Sequence, residues 1–93
     1  MKSIWKFQFR IHDRVDIEMP VGARVLAVQM QNDQPCLWAL VDPKAVKESR
    51  VFRVFGTGHP VPDGLPMDFV GTFQMAGGAL VWHLFESRET PHA

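Results

Sequence analysis

The chain has 93 residues, 46% of them hydrophobic and 22% charged, which suits one globular domain and excludes an intrinsically disordered chain. Ten basic residues balance ten acidic ones, so the basic excess that phosphate neutralisation requires is missing and nucleic acid is not an expected partner. A formal net charge of zero also offers little electrostatic resistance to self-association.

In chain order, apolar and polar residues alternate from Trp5 to Ile11, the period of a half-buried strand. Val15, Ile17 and Met19 resume the alternation after His12-Asp13, which predicts a hairpin turning at those two residues. Pro20-Val21-Gly22 ends the second strand, because proline has no ladder donor. Ala23 to Gln31 and Cys36 to Val41 are apolar on both faces and flank the polar turn Gln31-Asn32-Asp33-Gln34. Strands of that kind are central in a sandwich or covered by another subunit. Asp42-Pro43-Lys44 reads as a turn, Ala45 to Ser49 as one helical turn at most, and Arg50 to Phe55 as a strand.

Three prolines and three glycines between Gly56 and Met67 preclude regular structure there, and a connection of that length is a candidate functional loop. Phe69 to Met75 and Leu80 to Glu86 are strands joined by Ala76-Gly77-Gly78-Ala79, and residues 88–93 are read as a frayed tail. The sum is one β domain over residues 1–93, with about seven short, mostly antiparallel strands. This predicts an all-β fold, either a small sandwich or a partly open barrel.

Chemistry-bearing residues are sparse. Cys36 is the single cysteine, which excludes an intrachain disulfide and any Cys-x-x-Cys zinc or redox motif. Its apolar neighbours mark a buried thiol. His12, His59, His83 and His92 show no metal-ligand spacing, so no metal and no cofactor are expected. No serine or threonine sits in a nucleophile elbow, and Asp42, Asp63 and Asp68 fall at turns, so an enzyme is not expected. The candidate ligand-binding residues are Gly56, Thr57, Gly58 and His59, where small residues let backbone amides approach an anionic ligand such as a nucleotide. The aromatics Trp5, Phe7 and Phe9 alternate with Lys6 and Arg10 onto the opposite face, which assigns them to core packing rather than to base stacking.

Leu26, Val28, Leu37, Val41 and His83 are the expected interface residues, since a domain this small shelters only about 60–70% of its unfolded surface. The leading expectation is therefore a non-enzymatic, self-associating interaction module, a homo-oligomer that also binds a host protein. The alternative is a small-ligand or nucleotide binder at His59. No run nears the about 18 apolar residues of a membrane helix, and the N-terminus has no signal-peptide apolar stretch, so a cytoplasmic protein without a membrane partner is expected.

Four segments carry a family resemblance: Ile4-Trp5-Lys6-Phe7, Gln34-Pro35-Cys36-Leu37-Trp38-Ala39-Leu40-Val41-Asp42-Pro43, Phe55-Gly56-Thr57-Gly58-His59-Pro60 and Val81-Trp82-His83-Leu84-Phe85-Glu86. In these the sequence resembles a family of small proteins encoded by bacteriophages and prophages. The resemblance implies an accessory protein acting inside a bacterium. It implies no activity, cofactor or site residue.

Overall fold

The computed structural model describes residues 1–89 and is all-β. Its strands are β1 (Ser3–Gln8), β2 (Arg14–Pro20), β3 (Arg24–Gln31), β4 (Gln34–Val41), β5 (Lys47–Gly56), β6 (Met67–Met75) and β7 (Leu80–Ser87). They form two antiparallel sheets, one ordered β1-β4-β3 and the other β2-β5-β7-β6. The sheets face each other as a sandwich and do not close into a barrel.

Period-two alternation builds the core. From the three-stranded sheet, Leu37, Ala39 and Val41 on β4 point inward with Val28 on β3. From the other sheet, Ile17 and Met19 on β2, Phe52 and Val54 on β5 and Leu84 on β7 meet them. Phe52, Met19, Leu37, Leu84 and Val41 are fully buried. Asn32 and Asp33 take positive φ values of 51° and 62° in the two-residue turn that joins β3 to β4. This is the primed-turn geometry that the right-handed twist of a hairpin favours.

Three sequence expectations are corrected. β1 and β2 do not form a hairpin: β1 pairs with β4, and β2 pairs with β5 in the other sheet. The reason lies between them, where Phe9 is buried, edge-on to Phe73 at 6.2 Å, and its N–H bonds Pro35 O at 3.1 Å. The chain therefore crosses from one sheet to the other instead of doubling back. Ala45 to Ser49 makes no helical turn: Asp42 closes a turn through Lys44 N and Ala45 N, and Lys47 to Ser49 already belong to β5. Within the expected tail, Arg88 N bonds Pro66 O at 2.9 Å and Glu89 holds Arg53, so these two residues are tied down. Residues 90–93 of that tail, His92 among them, lie outside the described residues.

Candidate functional site

Of the five expected interface residues, Val28, Leu37 and Val41 lie in the protomer's own core, with Leu37 at 0% exposure. They cannot meet a second chain. β4 is apolar on both faces, and the register decides which face is sheltered. Trp38 and Leu40 look outward beside Lys6 and Ile4 of β1, while Leu37 and Val41 look inward. Leu26 is 45% exposed because it is the extra residue of a bulge, where the β3–β4 register shifts between Val25 and Ala27.

His83 sits on the outer face of the four-stranded sheet. Its two ring nitrogens are spent on hydroxyls, Nε2 with Thr57 Oγ1 at 2.8 Å and Nδ1 with Thr72 Oγ1 at 2.9 Å. A neutral imidazole has one N–H, so one threonine accepts from the ring and the other donates to it. Phe55, Phe85 and Phe69 continue the same face, with ring centroids 5.8 and 5.4 Å apart.

The expected ligand residues part at the largest described cavity, although Gly56, Thr57 and His59 together line a smaller one of about 160 Å³. Gly56 and Thr57 are successive residues at the end of β5 and so serve opposite faces. Thr57 goes outward to His83, whereas Gly56 and His59 line a cavity of about 630 Å³. Gly58, at φ 84°, lets the chain fold back so that His59 N donates to Gly56 O at 3.0 Å. That bond consumes one of the amides an anion-binding nest would need, and Thr57 N is already bonded to Val81 O. The loop is a turn, not a nest for phosphate.

The cavity exists because a ladder parts. In an antiparallel pair, mutually bonded positions recur every second residue. Val21 N to Val46 O at 2.7 Å and Val54 N to Asp13 O at 3.2 Å mark those positions between β2 with its flanks and β5. The next would pair Ile11 with Gly56. The chain instead swings away toward β1, and Ile11, His12 and Asp13 become one wall. Pro60, Pro62 and Leu65 of the long loop and Trp82 of β7 also line it. Gly56 is buried, and its N–H has no acceptor among the described residues. The alternation aims that N–H away from β7, toward the side Ile11 has left.

The exposed His59 ring lies close against the Gly56 backbone. A Cβ on Gly56 would stand 2.8 Å from His59 Nδ1 and Cε1 and 3.2 Å from the Trp82 ring. Glycine is what lets the imidazole lie against the strand. The His59 and Trp82 rings meet edge-on at 6.4 Å, and Trp82 Nε1 is buried without a hydrogen-bond partner among the described residues. Charge at the site is sparse. Arg53 is occupied by Glu89 through bonds of 2.8 and 3.1 Å, and Asp13 has no ion-pair partner among the described residues. No group of three His, Cys, Asp or Glu side chains among the described residues could hold a metal ion.

His12, Asp13, Ile11 and Trp82 were not among the sequence candidates. Only the unusual length and composition of the Gly56–Met67 segment pointed toward this end of the molecule. A model of a domain of unknown function, DUF7352, matches residues 1–93 from end to end. The chain belongs to that family. Among curated proteins and solved structures, none matches it. Family membership assigns no role to the cavity residues, and their chemistry has to be read from their geometry.

Proposed function

We propose that this domain is a small-ligand-binding module whose site is the cavity between the β1–β2 link and the Gly56–Met67 loop. The carrying observation is the parted ladder at Gly56, a buried residue whose N–H has no acceptor among the described residues and which lines a space of about 630 Å³. That volume falls within the roughly 300–1,000 Å³ typical of small-molecule sites. The composition suits such a site as well. Ile11, Val54, Pro60, Pro62, Leu65 and Trp82 supply apolar contact, while His12, Asp13 and His59 supply a few polar groups.

Thermal-shift screening of the full chain against neutral heterocycles, nucleosides and small acids tests the reading. A ligand at 100 times its Kd stabilises the fold by about 2.7 kcal/mol. A hit whose shift disappears in His59→Ala supports the cavity. Hits that ignore His59→Ala, or a panel without any shift, count against it.

A second reading, self-association, is favoured by the outward face of β4. Ile4 is 59% and Leu26 45% exposed, and the half-buried Trp38 and Leu40 lie beside Ile4. Sedimentation at micromolar concentration should then show a dimer that Leu26→Lys converts to monomer. A monomeric wild-type chain would retire this reading and leave the cavity untouched.

A further inference from the structure

Resting on the cavity reading, we infer that the ligand is a small neutral ring compound bearing a carbonyl oxygen. This oxygen accepts a hydrogen bond from Gly56 N–H, in the place Ile11 O would fill were the ladder unbroken. Three observations select this chemistry over the alternatives.

The first is the donor itself. A buried backbone N–H without an acceptor is rare, because the donor gives up its bond to water and gains nothing in return. Gly56 O is already bonded to His59 N, so the open position calls for an acceptor and not for a donor. A carbonyl oxygen reproduces what the next residue pair of an antiparallel ladder would have supplied.

The second is charge. The one arginine among the lining residues, Arg53, is bound bidentately by Glu89 and is not free to neutralise an anion. Asp13, another lining residue, carries a carboxylate with no ion-pair partner among the described residues. A carboxylate or phosphate ligand would meet the Gly56 N–H, the His12 and His59 rings and one like charge, but no arginine or lysine left without a carboxylate partner among the lining residues, which is poor compensation for its lost hydration. A neutral carbonyl carries no such penalty, and the Asp13 carboxylate is then available to a ligand N–H.

The third is shape. The rings of Trp82 and His59, edge-on to each other, share the lining with Pro60, Pro62 and Leu65. A lining rich in aromatic rings and prolines favours a rigid ring compound as occupant, since such a ligand loses little conformational freedom on entry. A lactam, a cyclic imide or a pyrimidine-type base meets all three conditions.

Amide NMR titrations of the isotope-labelled full chain with pyridone, toluene and benzoate separate the possibilities. Pyridone has the ring and the neutral carbonyl, toluene the ring alone, and benzoate the ring with a charged acceptor. Pyridone is expected to bind about fivefold more tightly than toluene, the ratio expected for one net hydrogen bond, and to move the Gly56 amide proton downfield. Benzoate is expected to bind more weakly than pyridone. If toluene and pyridone bind equally and leave the Gly56 proton in place, the carbonyl anchor is wrong while the cavity reading survives. Benzoate binding most tightly would overturn the choice of a neutral ligand. If no probe at millimolar concentration moves any amide of Ile11 to Asp13, Val54 to His59 or Trp82, the cavity reading itself fails.

Discussion

The two ends of β5 show what closing and opening a sandwich involve. At its beginning, Arg50 spans the sheets. Its guanidinium holds Glu86 of β7 through two bonds of 2.6 and 2.8 Å and donates from Nη1 to Ala23 O, ahead of β3, at 2.6 Å. Six residues on, roughly 20 Å along the strand, Gly56 has neither a cross-sheet side chain nor a ladder partner on one side. The first end uses charge to bind both sheets together, and the hydrogen bond to Glu86 raises the Arg50 pKa further above its ordinary value. The second end replaces side-chain contacts with a loop and leaves a cavity. The cross-sheet tie lies at one end, and the proposed binding cavity at the other.

Breaking the closed end should have the largest effect. Arg50→Ala leaves Glu86 and the Ala23 carbonyl without their partner in a half-buried setting, and a destabilisation of about 2–3 kcal/mol is expected from hydrogen bonds to charged groups. Urea unfolding checks this, and a change below about 0.5 kcal/mol, the range of ordinary surface substitutions, would mean the two ends do not differ in this way. Gly56→Ala at the open end should cost less, about 1 kcal/mol or under, because the closest atoms it strikes belong to the exposed His59 ring, which can turn toward solvent, and the Trp82 ring at 3.2 Å need shift only slightly. Its effect should appear instead in binding, as loss of the probe-induced shifts at His59 and Trp82. His59→Ala should change stability by less than about 0.5 kcal/mol while abolishing the shift of any ligand that contacts the ring.

The sequence made the closed and open ends unequally legible. Alternation showed which side chains of β1 and β2 share a face, and Trp5, Phe7, Ile17 and Met19 do pack inward. It could not name their partners, because a face pattern is the same whichever strand lies alongside. The expected β1–β2 hairpin failed on Phe9, whose burial carries the chain across to the other sheet. β4 was misread for a related reason. With Leu37, Ala39 and Val41 on one face and Cys36, Trp38 and Leu40 on the other, no polar contrast identifies the inner side. The proline- and glycine-rich loop announced itself by composition. The cavity under it did not, since it depends on a pair, Ile11 and Gly56, that are distant in the chain and fail to bond.

The smallest expected effect concerns the ion pairs on the outer face of the four-stranded sheet. Arg53 holds the Glu89 carboxyl below its usual range, assisted by Ser87 and Arg14. A depressed folded-state pKa means that the interaction stabilises the fold above the unfolded value of about 4.3. Its contribution is lost as pH falls through the folded value. The stability gap between wild type and Glu89→Gln should therefore be constant near neutral pH and shrink on acidification below about pH 4. It should also shrink in high salt, because the network faces solvent. A gap that widens on acidification would mean that Glu89 acts through something other than its charge. The same substitution frees Arg53 at the cavity wall, so the binding preference should move toward benzoate. If Arg53 occupancy is what excludes anions, Glu89→Gln alters ligand choice more than it alters stability.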